Sequence, residues 1–95
     1  MIIFVDIDET ICHSNPPDYE KSTPVFENIN KINKLYIANN TIIYWTARGT
    51  VSGKNWFEIT EKQLKKWKCK YHKLRIGKPS YDLIIDDKSK RIEEL

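Results

Sequence analysis

Cysteine is scarce in this chain of 95 residues: only Cys12 and Cys69 carry a thiol. Without a signal peptide, two such residues point to free thiols in a reducing compartment, with the cytoplasm as the default. Neither has a Cys or His at zinc spacing, since Cys12-His13 is only a dipeptide. No apolar run approaches the length of a membrane span, so a membrane is not an expected partner. The N-terminus reads as a core strand, not a targeting segment. Repeats, linkers and a second composition block are also missing, which leaves one domain over residues 1–95. A single core can be stable at that size. Charge of one sign is not in large excess. A formal net charge of +3 fits an anionic substrate and does not demand nucleic acid. What is plentiful is apolar material: 40% of residues, with 12% aromatic, favour a globular chain over a disordered one.

The chain is organised around its first ten residues. Ile2-Ile3-Phe4-Val5 runs without a break into Asp6-Ile7-Asp8-Glu9-Thr10. A short, β-branched and aromatic run of this kind reads as a strand buried on both faces of a parallel sheet. Ligands of open α/β sheets bind beyond the carboxyl ends of the strands. Residues two apart on a strand share a face, so Asp6 and Asp8 can converge on one point. Like charges that close raise at least one pKa, and a hard cation such as magnesium relieves the cost. The plainer reading is an acidic turn that caps a following helix.

Further along, Cys12 to Glu20 is polar and irregular, with Ser-Asn and Pro-Pro loop signals. It is a candidate flap over the end of the first strand, and His13 reads mainly as a solvated loop residue. Thr23 and Pro24 suit the cap and first position of a helix carrying Val25, Ile29, Ile32 and Leu35 or Tyr36 on one stripe, ended by Asn39-Asn40. Thr41 to Thr46 is a second strand, delivering Thr46-Ala47-Arg48-Gly49 at its end. A helix over about 55–68 buries Trp56, Ile59, Leu64 and Trp67; Thr60 and Gln63 also have capping-box spacing, so it starts near Asn55 or at Thr60. Lys62, Lys65, Lys66, Lys68, Lys70 and Lys73 read as a solvated face. No aromatic residues interleave them as a single-strand platform requires. Residues 71–75 form a third strand, Ile76 to Ser80 a turn presenting Lys78, residues 81–85 a fourth strand ending in Asp86-Asp87, and residues 88–95 a short closing helix.

Collected at one sheet edge, these groups suit phosphoryl transfer, which depends mostly on positioning and charge neutralisation. Asp6-Ile7-Asp8-Glu9-Thr10, Thr46, Lys78 and Asp86-Asp87 resemble, in order, the four motifs of the haloacid dehalogenase-like phosphatases, and the match spans essentially the whole chain. The sequence looks most like small capless members linked to sugar-phosphate and capsule polysaccharide metabolism. The resemblance implies a Rossmann-like three-layer α/β fold with a four-stranded parallel sheet in the order 3-2-1-4. It implies a magnesium-dependent phosphomonoesterase. Asp6 would be the nucleophile and Asp8 the general acid and base. Thr10 would support the loop after the strand. Thr46 and backbone N–H groups after it, at Ala47, would bind phosphoryl oxygens. Lys78 would neutralise charge. Asp6, the carbonyl of Asp8 and Asp86 would hold magnesium, with Asp87 as a further ligand or a carboxylate behind the ligands. Arg48 is a candidate substrate reader or, equally, a surface ion pair. Glu9 departs from the pattern, where many members have Gly.

About 35 residues separate Asp8 from Thr46 and about 30 separate Thr46 from Lys78. Helices and strands fill both intervals, so no cap domain fits, and the open site would be covered by the flap or by another subunit in a homo-oligomer. Three rival readings remain. A receiver-type signalling domain has its acidic groups in a different strand order. A non-catalytic module would bind a phosphorylated ligand without turnover. A phosphatase of nucleic acid ends would show strongly salt-dependent binding.

Overall fold

The computed structural model of the chain covers residues 1–95, beginning with strand β1 (Ile2–Val5). A short antiparallel pair follows, β2 (Cys12–His13) with β3 (Thr23–Pro24). Then come helix α1 (Phe26–Ile37), strand β4 (Thr41–Trp45), helix α2 (Phe57–Lys66) and strand β5 (Lys73–Arg75). Turns of 3-10 helix lie at Tyr19–Lys21 and Ile92–Glu94. β4 is central and parallel to both neighbours, in the order β1-β4-β5. The three observed strands thus keep the expected relative order, and no cap domain is present.

Register decides which side chains form the core. Ile3 lies opposite Ile42, and Val5 opposite Tyr44, which in turn faces Leu74. Val5, Ile42 and Tyr44 are buried in one cluster with Ile29 and Ile32 of α1, Leu64 of α2 and Trp67. Both helices contribute to that cluster, so they cover the same face of the sheet. The expected three layers are therefore two over the three strands. The opposite face carries Phe4 packed edge-on against Trp45, with ring centroids 5.5 Å apart.

Several local expectations are corrected. Thr23 and Pro24 do not open α1, because they pair with the strand that follows Ile11; the helix begins after Val25, whose N–H donates to Ile11 O. Asn39 does end α1, in the left-handed conformation at φ 70°. α2 starts at Phe57, two residues past the expected Asn55 and ahead of Thr60, with Asn55 Oδ1 accepting the Phe57 N–H. The six lysines are all exposed, as a solvated face requires. The fourth strand is missing from the sheet: residues 81–85 are irregular, and Leu83, Ile84 and Ile85 are exposed. The open flank of β1 is correspondingly unpaired, with Ile2 exposed. The closing helix is reduced to the turn at Ile92–Glu94, where Ile92 packs against the core and its carbonyl accepts from Lys31 Nζ. No helix is long and apolar enough to cross a membrane.

Candidate active site

The carboxyl ends of β1 and β4 adjoin, and the chain departs from each into a tight turn. After β1, Thr10 and Ile11 N–H donate to Ile7 O, which reverses the chain immediately beyond Asp6. Glu9 adopts the left-handed region at φ 62°, where glycine is the default residue. Its carboxylate accepts the Ser14 N–H at 2.9 Å and lies 3.1 Å from His13 Nδ1, so Glu9 fastens the flap to the strand end. These bonds, the Ser14 N–H foremost, hold its carboxyl below the usual range. His13 is an exposed partner of Glu9 rather than a substrate contact. After β4, Gly49 turns the chain at φ 82°; a Cβ there would lie 2.1 Å from Lys54 O, so only glycine fits.

Between these turns lies an open cavity of about 280 Å³, walled by Asp6, Asp8, Ala47, Arg48 and Lys78 together with Tyr19 and Ser80. Lys78 Nζ stands 3.3 Å from Asp6 Oδ1. The Lys78 backbone is fixed to β4 by its N–H to Thr46 O, and its carbonyl accepts the Thr50 hydroxyl. Burial pushes the Asp6 carboxyl above its ordinary value, and Lys78 works against that rise. The cation thus favours the ionised carboxylate that the surroundings penalise.

Asp8 is held differently. Arg48 Nη2 donates to Asp8 Oδ1 at 2.8 Å, and Nε reaches Oδ2 at 3.0 Å. The Ser14 hydroxyl also donates to Oδ1. Arg48 is 2% exposed, which makes this a buried anchor and neither a surface ion pair nor a substrate reader. All the N–H groups of its guanidinium are engaged: Nε and Nη2 on Asp8, Nη2 also on Ser22 Oγ, and Nη1 on Thr60 Oγ1 and Gln63 Oε1. None is left for a substrate oxygen. Thr60 and Gln63, whose spacing suggests a capping box, serve Arg48 instead. Gln63 Nε2 continues to Tyr19 O on the flap.

Other expected groups stand behind or away from the cavity. Thr46 is fully buried, and its hydroxyl accepts the Arg48 N–H, so it shapes the turn from behind the wall. Thr10 likewise supports the loop, its carbonyl accepting from Asn28 Nδ2. Asp86 and Asp87 are exposed, and Asp86 Oδ1 accepts the Lys88 N–H in a turn of its own. No group of three or more His, Cys, Asp or Glu residues is gathered; Asp6 and Asp8 share the cavity wall and fit a magnesium ion that takes its other ligands from water and phosphate, whereas Asp86 and Asp87 do not line the cavity as arranged. Burial pushes the thiols of Cys12 and Cys69 up to about 11, which keeps them in the protonated form. Sequence reasoning missed Tyr19, Ser14, Ser22 and Ser80; Tyr19 opens a single 3-10 turn and the serines sit in irregular loops, none of which carries a periodic signal.

A second cavity of about 440 Å³ shares Tyr19, Ala47 and Ser80 with the first and extends under Pro16 and Pro17 of the flap to Trp56. Tyr19 and Trp56 meet edge to face at 5.1 Å, and Lys54 Nζ lies 4.2 Å from the Trp56 ring centre.

No known family profile matches the chain, and no curated protein matches it. A crystal structure from Vibrio cholerae, described only as an MCSG target, is similar over 98% of this chain and 85% of that one, with a TM-score of 0.89 and 24% identity. That likeness shows the fold these two proteins share.

Proposed function

We propose that the chain hydrolyses phosphomonoesters in the manner of the small capless haloacid dehalogenase-like phosphatases that its motifs resemble. The observation that carries this reading is the Asp6–Lys78 pair in the wall of an open cavity, with Asp8 beside it. A carboxylate Oδ of Asp6 attacks phosphorus to form an aspartyl-phosphate. Asp8 gives its proton to the departing alkoxide, then takes one from the water that cleaves the intermediate. Lys78 offsets the charge on the phosphoryl oxygens. Ala47, on the same wall, offers a backbone N–H to them, while Thr46 and Thr10 hold the turns in shape.

The adjoining cavity supports a leaving group larger than phosphate alone, because its walls are aromatic and polar loops continuous with the Asp6 site. A sugar phosphate or a related small metabolite is the proposed substrate, as the resemblance to capsule polysaccharide enzymes implies, and the cytoplasm is the proposed compartment.

The four-stranded sheet belongs to the same proposal. Residues 81–85 would add to the free edge of β1, completing the order 3-2-1-4 and carrying Asp86 and Asp87 toward Asp6. The unpaired edge and the exposed apolar side chains of Ile2, Phe4, Leu83, Ile84 and Ile85 support this docking. Asp6, Asp86 and Asp87 would then hold magnesium, which supplies charge neutralisation at the phosphoryl group.

The test is phosphate release from a panel of sugar phosphates and nucleotides, with and without magnesium, for the native chain and Asp6→Asn. Turnover confined to the native chain is expected. Silence from the folded native protein on every ester would overturn the reading in favour of a module that binds a phosphorylated ligand without cleaving it.

A further inference from the structure

The cavity of about 440 Å³ beside the Asp6 site is within the size of small-molecule sites, about 300–1,000 Å³. The phosphoryl chemistry uses none of its charged residues, which are Asp18, Glu20 and Lys54. These three are unequal. Lys54 Nζ lies over the Trp56 ring, 4.2 Å from its centre, and forms no ion pair. Asp18 and Glu20 are exposed, and neither carboxylate has an ion-pair partner. Two free negative charges therefore stand against one positive charge.

The backbone that carries them is well held. Asp18 and Glu20 flank Tyr19, whose carbonyl accepts from Gln63 Nε2 and from the Ser22 hydroxyl, each at 2.7 Å. The Tyr19 ring lies 4.9 Å from the Arg48 guanidinium and 5.1 Å from the Trp56 ring. On the Lys54 side, the Gly53 N–H donates to Gly49 O and closes the turn. Tyr19, Ala47 and Ser80 line both cavities, so a group attached to a phosphate at Asp6 passes along them into the second one.

We propose that the second cavity is the leaving-group pocket of the Asp6 site, and that Asp18 and Glu20 make it selective for a neutral, hydroxylated group and against an ester with a second anion. This rests on the phosphatase reading and deepens it. Hydroxyl groups donate to the two carboxylates, and the Pro16, Pro17 and Tyr19 walls cover C–H surface. A second phosphate would meet two unpaired like charges, the arrangement by which a site rejects a wrong partner.

The test compares fructose 6-phosphate with fructose 1,6-bisphosphate at fixed magnesium, with p-nitrophenyl phosphate as the reference ester. The native chain is expected to favour the monophosphate by about tenfold or more in kcat/KM, chiefly through KM. Asp18→Asn combined with Glu20→Gln should bring that preference to within about threefold, and Lys54→Gln should widen it. All three side chains are exposed, so these variants keep the core intact. Added salt should narrow the native preference, because open charges are screened. With p-nitrophenyl phosphate turned over, three results overturn the pocket and leave the phosphatase reading standing: equal use of the two sugar esters, use of neither, or a preference that the double variant leaves unchanged. Silence of the folded native chain on all three esters overturns the phosphatase reading, and the pocket with it.

Discussion

Two acidic pairs end two apolar runs in this chain, and they meet opposite fates. Asp6 and Asp8 follow Ile2–Val5; Asp86 and Asp87 follow Leu83-Ile84-Ile85. The first pair is joined to distant parts of the chain: Asp6 to Lys78, and Asp8 to Arg48 and through it to α2. The second pair is bonded only within its own turn. The difference lies in the partners. Ile2–Val5 is registered residue by residue against Thr41–Tyr44, whereas 81–85 pairs with nothing. A carboxylate becomes part of a site when long-range contacts fix the element that carries it, not when an apolar run precedes it.

The comparison can be broken from either side. The largest effect should come from Asp6→Asn, which is expected to lower phosphate release by more than about 10³-fold in a steady-state assay, because it removes the proposed nucleophile. Next is Arg48→Met, which strands the Asp8 charge in its partly buried place. Removing one partner of such a pair costs about 3–5 kcal/mol, read by denaturant unfolding; Asp86→Asn, on the exposed pair, should leave the unfolding midpoint in place. Ile84→Pro sharpens the docking proposal. Proline cannot donate to a strand ladder, so magnesium-dependent turnover should fall while the unfolding midpoint stays put.

A smaller effect separates the carboxylates by sign. Burial raises the Asp6 pKa above its unfolded value, so the stability tied to its protonated form is present at low pH and lost as pH rises through the folded pKa. Asp6→Asn should therefore gain stability relative to the native chain between pH 3 and 7. Glu9 has the opposite shift, so its contribution is present above the ordinary carboxylate range and lost on acidification. Glu9→Gln should lose relative stability over the same interval, and unfolding curves at several pH values check both. The smallest change concerns Tyr44, whose buried hydroxyl has no oxygen or nitrogen partner and only the Cys69 thiol near it. Tyr44→Phe should be neutral or stabilising by up to about 1 kcal/mol in the same unfolding assay.

Much of this was legible in the sequence where periodicity and burial agree. The runs at Ile2–Val5 and Thr41–Trp45, the stripe of α1 and its end at Asn39 are local patterns that the core then used. Asp6, Asp8 and Lys78 were legible because they follow those elements closely. Arg48 was visible as a residue and not as an anchor, since its partners at Ser22, Thr60 and Gln63 are scattered through the chain. The spacing of Thr60 and Gln63 is common to a capping box and to one face of a helix, and only the neighbouring guanidinium decides between them. Thr23-Pro24 looked like a helix start because capping rules do not foresee a partner strand at Cys12–His13. The run at 81–85 has strand composition, but composition carries no information about which edge is free to receive it.

The central claim is that Asp6 attacks phosphorus. The most direct measurement is mass spectrometry of the native chain quenched with acid during turnover of a sugar phosphate, alongside Asp6→Asn. One added phosphoryl group on the peptide containing Asp6, absent from the variant, is the predicted result. Phosphate release with no adduct, or an adduct on another residue, would contradict it.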